Sequence, residues 1–340
     1  MINDKNQSDD SRPYLPFVSV VVPAYNSAAM MELCLAALLA QTYPKNMYEI
    51  IIVDNKSTDS TADIIKKYPV IYLLEADRQS PYAARNKGIM HAKGEIVAFT
   101  DSDCVADEHW IEKAVERFRD PAVIGVGGRI RGYKPRRYIE IYQEKRRMFN
   151  QQATLSPERI AKKTAAIATN NAFYRKYILE KVGYFDCTIF GGGDFDLTYR
   201  IQAQTDGKLV YADDSVIYHK HASSIRKLWE QYSRYGYGNI QSEFDKQQLL
   251  AIYKDMRKYG YLKVVFWRLY RFGILKNIPL IGINFILFIF GKDKPTYRVR
   301  LIDAFLSCVE QSAFLSGELK SLSRNKKELF KLYVSQKNTG

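Results

Sequence analysis

The feature that most constrains this chain is a regular alternation, over its first hundred residues, of short apolar or β-branched runs with helical stretches. Residues 17–22, 49–53, 70–74 and 95–99 read as strands, and 28–40, 59–67 and 82–91 as the helices between them. Strands separated by helices of this length pair in parallel and are covered by helices, so the expected class is α/β. Pro23 should end the first strand, and Ser57 or Thr58 should cap the second helix. Beyond residue 103 a helix at 108–118, a strand at 123–126, a helical segment at 138–150 and two short strands at 209–211 and 216–218 are expected.

Ligands of open α/β sheets bind beyond the carboxyl ends of the strands. There the apolar Ile96-Val97-Ala98-Phe99 runs into Thr100-Asp101-Ser102-Asp103. Two carboxylates one residue apart suit a hard divalent cation, Mg²⁺ or Mn²⁺, which would in turn hold phosphate oxygens. The same triplet also serves as a turn or helix cap. Asp54, closing the second strand, can accept hydrogen bonds from a base or ribose edge, or cap the helix after it. Neither a Walker A sequence nor G-x-G-x-x-G follows the first strand, which removes the main support for P-loop and dinucleotide binding.

Five segments, V-V-P-A-Y-N, V-D-N-K-S-T-D-S-T, A-A-R-N-K-G-I, G-E-I-V-A-F-T-D-S-D and G-G-G-D-F-D-L, together resemble the ordered signatures of glycosyltransferase family 2, across about residues 17–240. The resemblance implies the GT-A fold, a Rossmann-like, mainly parallel mixed sheet flanked by helices. It also implies transfer of a sugar from a nucleotide-sugar donor with inversion, and Mn²⁺ or Mg²⁺ as cofactor. By the same resemblance Pro23, Ala24, Tyr25 and Asp54 line the nucleotide pocket, and Arg85 sits near the phosphates. Asp103 is the metal ligand, while Asp101 steadies the ribose or the water shell of the metal. Asp194 matches the residue that acts as base, since an inverting transfer needs one carboxylate to take the acceptor hydroxyl proton. Gly193 stands where the family usually has Glu; it and Gly192, Asn170 and Asn171 fall at the acceptor side.

Asp196 is expected to cap or orient its helix through Tyr199 and Arg200. His219 and His221, two apart on a strand, share a face. A histidine of this kind is often a satisfied core or surface residue, but the resemblance makes His219 the one that completes the metal site. Gln231-Tyr232-Ser233-Arg234-Tyr235 is similar to the Q-x-x-R-W of processive members, with Tyr235 for Trp, and Arg234 would hold the departing diphosphate.

Domain boundaries follow: a flexible 1–16, a catalytic domain at 17–240 divided into a donor half (17–127) and an acceptor half (128–240), and a helical region at 241–340. The chain of 340 residues is 46% apolar and carries a net charge of +14. Residues 241–340 hold 18 Lys and Arg against 8 Asp and Glu. Within that region 259–270 interleaves aromatic with basic residues, and 278–290 is apolar but shorter than the ~20 residues that span a bilayer. It reads either as a monotopic element on an anionic membrane surface or as a core helix with solvated ends. The four cysteines form no C-x-x-C pair and the polar N-terminus has no apolar h-region. A cytoplasmic location on the inner face of the membrane is therefore expected.

The predicted activity is sugar transfer to a hydroxyl of a glycan or lipid-linked acceptor, in surface polysaccharide or glycolipid assembly. An inactive scaffold would not need Asp54, Asp101, Asp103, Asp194 and His219. A nucleic-acid binder would spread its basic residues along a groove-forming face rather than beside an apolar segment.

Overall fold

The computed structural model describes residues 14–146, 150–189, 191–238 and 294–338, with single positions between 258 and 286. Eight strands are found among them: β1 (Val18–Ala24), β2 (Tyr48–Asp54), β3 (Ile71–Leu74), β4 (Ile96–Phe99), β5 (Cys104–Ala106), β6 (Val123–Gly132), β7 (Ala172–Arg175) and β8 (Lys208–His219). They form one sheet in the order β3-β2-β1-β4-β7-β6-β8-β5. β3, β2, β1 and β4 run parallel, whereas β7 pairs antiparallel with both β4 and β6. The parallel part is connected by α1 (Ala28–Leu39), α2 (Thr61–Ile65) and α3 (Pro81–His91). The chain continues through α4 (Trp110–Glu116), α5 (Tyr138–Lys145), α6 (Gln151–Thr154), α7 (Pro157–Ala161), α8 (Lys176–Lys181), α9 (Gly193–Gln204), α10 (Ile225–Gly238) and α11 (Lys294–Asn338).

Two compact units emerge. The first comprises Met1–Ile130, Asn150–Tyr184 and Ile201–Tyr218; the second comprises Arg131–Phe149, Phe185–Arg200 and His219–Gly340. In the first, Val20, Val22, Ile50, Ile52 and Ala98 pack with Met31, Leu35, Trp110 and Phe173. Strands buried on both faces read as unbroken apolar runs, which is why this part is visible in the sequence. In the second, Ile139, Tyr142, Leu228 and Leu306 form the buried cluster.

The structure alters several local expectations. β1 continues through Pro23 to Ala24, because pairing with β4 stops at Val21 opposite Phe99. The prolyl nitrogen therefore costs no ladder bond. The late strands at 209–211 and 216–218 are one strand, β8, carried through Asp213 and Asp214. Both are exposed and paired, Asp213 with Arg129 and Asp214 with Arg117, so the polar interruption faces water. Helix α2 begins after Ser60, not Ser57 or Thr58. The helical segment expected at 138–150 ends at Lys145, and Asn150 caps α6. The segments 259–270 and most of 278–290 lie outside the described residues, as do residues 1–13. No helix among the described residues is long and apolar enough to cross a membrane.

Candidate active site

In the first unit the site grows from the carboxyl ends of β1, β2 and β4. Register places Ala24 beside Asp54, and Asp54 beside Leu74. Asp54 is 2% exposed. Its Oδ1 accepts the Ser57 N–H at 3.0 Å and its Oδ2 the Tyr72 hydroxyl at 3.2 Å. Burial, and then the charge of Asp54, push the Tyr72 hydroxyl above its ordinary pKa. Pro23 and Ala24 are buried in β1, while Tyr25, the residue after it, is half exposed.

Ser57 and Thr58 are not caps because they tie two loops together. Ser57 Oγ accepts from Asn26 N, and Asn26 Oδ1 accepts from Thr58 N at 2.8 Å. Asp59 Oδ2 accepts from Ala28 N. Asn26 and Lys56 both adopt the left-handed region, at φ 48° and 64°. Asn tolerates it; for Lys it is a local strain that the surrounding bonds hold in place.

Asp101 and Asp103 have different surroundings. The buried Arg85, on α3, donates from Nη2 to Asp101 Oδ1 at 2.6 Å. Its position follows from a well-formed helix start: Ser80 caps α3 by accepting from Tyr82 N, with Pro81 in the first turn. Asp101 is therefore charge-compensated by a residue of its own unit, whereas Asp103 is half-buried two positions on. The loop is electronegative. Beneath it the Cys34 thiol is pushed up to about 12 by burial, then by Asp103 and Asp101, and Cys104 is raised by the same causes in the same order.

Because β7 runs antiparallel to β4, the turn before it lies at the same sheet edge. Thr100 Oγ1 donates to Asn170 O at 3.0 Å. The buried Asn170 Oδ1 has no hydrogen-bond partner among the described residues. Asn171 is spent on structure: Oδ1 accepts from Trp110 Nε1 at 2.8 Å, and Nδ2 donates to Arg129 O and Ser215 O.

In the second unit Gly192, at φ 76°, turns the chain into α9, where a side chain would be strained. Gly193 is its first residue and Asp194, half-buried, its second. Asp194 Oδ1 accepts the Phe195 N–H, and its carbonyl accepts the Thr198 hydroxyl. Asp196 binds Arg200 Nε at 2.8 Å, the role foreseen for it. His219 ends β8, is buried, and accepts at its carbonyl from Tyr133 N. His221 stands 5.8 Å from it, ring to ring, with Nε2 3.2 Å from Glu144 Oε2. Burial and then His219 lower the His221 pKa, against the pull of Glu144. Arg234 is exposed on α10, where Gln231 donates to the Tyr235 hydroxyl.

Among the described residues no three His, Cys, Asp or Glu side chains converge as a metal cage. The half-buried Asp103, one position from Ser102 and two from Asp101, suits a cation of the Mg²⁺ type, bound by one or two carboxylates and completed by phosphate oxygens and water. The loop interlacing was not anticipated; the density of hydroxyl and amide side chains in Asn55-Lys56-Ser57-Thr58-Asp59-Ser60-Thr61 was its one sequence signal.

A family model, Glycosyl transferase family 2, matches residues 19–183. Glycosyltransferase AglE of Haloferax volcanii is 36% identical over 236 residues, 67% of this chain and 74% of that protein. The poly(ribitol-phosphate) beta-glucosyltransferase of Bacillus spizizenii is 48% identical over 92 residues, 25% of this chain and 14% of that one. Among solved structures, mannosyltransferase PcManGT from Pyrobaculum calidifontis, in complex with GDP-Man and Mn²⁺, superimposes with a TM-score of 0.60. That match is 22% identical and covers 92% of this chain and 90% of the other, so the two share the fold.

Proposed function

The chain belongs to glycosyl transferase family 2, and from that premise we propose a divalent-cation-dependent, inverting transfer of a sugar from a nucleoside diphosphate to a hydroxyl acceptor. The observation that carries the cation is the pair of carboxylates at the carboxyl end of β4: Asp101 held by Arg85, and Asp103 half-buried two positions on in the same loop. Asp103 would hold the cation, which when bound would neutralise charge on the diphosphate as it leaves.

Asp54 receives the base or ribose and Tyr25 stacks on it from the end of β1. Asp194 takes the proton from the acceptor hydroxyl as that oxygen attacks the anomeric carbon. Asn170, in the turn before β7, is assigned to the acceptor side. Gly192 and Gly193 leave room beside the base, and Arg234 meets the departing diphosphate. The acceptor is a surface glycan or lipid-linked sugar; a polymer acceptor is in keeping with the name of the Bacillus relative. The basic region 241–340 would bring the catalytic domain at 17–240 to anionic lipid on the inner face of the membrane.

The test is transfer from a panel of nucleotide sugars with Mn²⁺. Asp103→Ala and Asp194→Asn should each lower kcat by about 10²–10⁴-fold, and Asp194→Asn should keep donor affinity. Transfer at the wild-type rate by Asp194→Asn would remove it as the base.

A further inference from the structure

Ser102 stands between the two carboxylates, 9% exposed, with its hydroxyl 2.6 Å from that of Ser27. Ser27 Oγ also lies 3.3 Å from Tyr25 N, as acceptor, and 3.2 Å from Tyr25 O, as donor. A serine hydroxyl has one hydrogen and two lone pairs. Either hydroxyl can therefore donate the 2.6 Å bond: Ser102 when the Ser27 hydrogen goes to Tyr25 O, Ser27 when it goes to Ser102. The backbone of Ser27 is pinned as well, its N–H donating to Thr61 Oγ1 at 2.8 Å, while that hydroxyl donates to Asp59 Oδ1. One hydroxyl thus joins the loop beyond β1, which carries Tyr25, to the acidic loop beyond β4, and its backbone joins both to the loop beyond β2.

We propose that Ser27 is a positioning residue for the nucleotide: its bond to Ser102 sets the distance between the nucleoside end of the site, Tyr25 and Asp54, and the diphosphate end, Asp101 and Asp103. This rests on the donor-site assignment above. A nucleoside diphosphate bound by cation and base together has two anchors on separate loops, and it gains from both only if their separation is fixed before it arrives. Without the latch the loops still form, since Asn26, Ser57, Thr58 and Asp59 hold the first two. The acidic loop, joined to the Tyr25 loop through Ser102, then loses its register to the base. The cost falls on binding of the whole nucleotide, paid as ordering of the loop.

The experiment is a double-mutant cycle on Ser27→Ala and Ser102→Ala, reading the Kd of UDP, GDP, ADP and dTDP with Mn²⁺ by calorimetry, and Tm without ligand. Each single variant should weaken the best-bound nucleotide about 10-fold. The double variant should be no weaker than either single, because both remove the same bond, and Tm should stay within about 2 °C of wild type. Multiplying losses, near 100-fold in the double variant, would show independent roles and overturn the latch, as would unchanged Kd in the singles. A wild-type protein that binds none of the four nucleotides with Mn²⁺ would instead overturn the donor site itself, and the latch with it.

Discussion

In the first unit the loops at the sheet edge are fastened by short polar side chains that bond one another's backbone; in the second, two helices lie so close that backbone faces backbone. At the crossing of α10 and α11 a Cβ on Gly236 would meet the Phe314 carbonyl, and one on Gly317 the Ser233 carbonyl. Towards the start of α11, Tyr142 donates to Glu310 Oε2 at 3.0 Å, and Tyr138 to Asp303 Oδ1 at 2.7 Å. The lesson lies in what each arrangement tolerates. Hydrogen-bonded loops keep exposed polar groups at fixed places and suit recognition, whereas a glycine-mediated helix crossing fixes segments and leaves their outer faces unconstrained.

The contrast can be broken first at Asn171. Asn171→Ala leaves Trp110 Nε1 and the Arg129 and Ser215 carbonyls without their partner, and should cost about 2–4 kcal/mol, read as a lower urea midpoint with the slope unchanged. At Gly317 the side chain itself is the intruder. Gly317→Ala should destabilise by about 1–3 kcal/mol, and amide exchange should quicken in α10 and α11 while β1 and β2 keep their protection. If β1 exchanges equally fast, the two units share one cooperative transition and the contrast is only descriptive. A smaller loss, about 1 kcal/mol, is expected for Ser57→Ala, whose hydroxyl accepts from Asn26 N; thermal unfolding measures it.

The smallest effect is one of pH. Burial raises the Glu310 carboxyl above the ordinary 4.5, against the hydroxyls of Tyr142 and Tyr232 and the charge of Arg146. A raised carboxyl holds its proton more tightly when folded, so its contribution to stability is full below pH 4.5 and is lost as pH rises through the folded value. Glu310→Gln should therefore match wild type in acid and exceed it near pH 7, and the difference in Tm between pH 4 and pH 8 gives the comparison. A variant less stable at pH 7 would mean that the ionised carboxylate is the favoured partner of the two tyrosines.

What the sequence makes legible is the part whose periodicity is local. The parallel strands read as apolar runs, and Asp54 and Asp101 read at or just beyond their ends because those positions are where a polar residue interrupts such a run; Arg85, on α3, was visible only through its A-A-R-N-K-G-I segment. β7 was not legible: Ala172-Phe173-Tyr174-Arg175 is four residues long, and its place between β4 and β6 is decided by pairing with strands about 75 and 50 positions away in the chain. Nor were the side-chain bonds of Asn26, Ser57 and Thr58, since those residues have the same propensities in any turn. The Arg85 to Asp101 pair joins two residues that the sequence assigned separately to the nucleotide, and only geometry shows that they neutralise each other.

The insertion of β7 has a consequence for synthesis. As the chain leaves the ribosome, β1, β2 and β3 can pair as soon as they are made, and β4 joins β1 shortly after. The other side of β4 then stays open until residues 172–175 appear, an unpaired edge of the kind prone to misassociation. The strand that delivers the acidic loop is thus the last of the parallel set to be enclosed. A nascent chain stalled before residue 172 should be the form most in need of a chaperone.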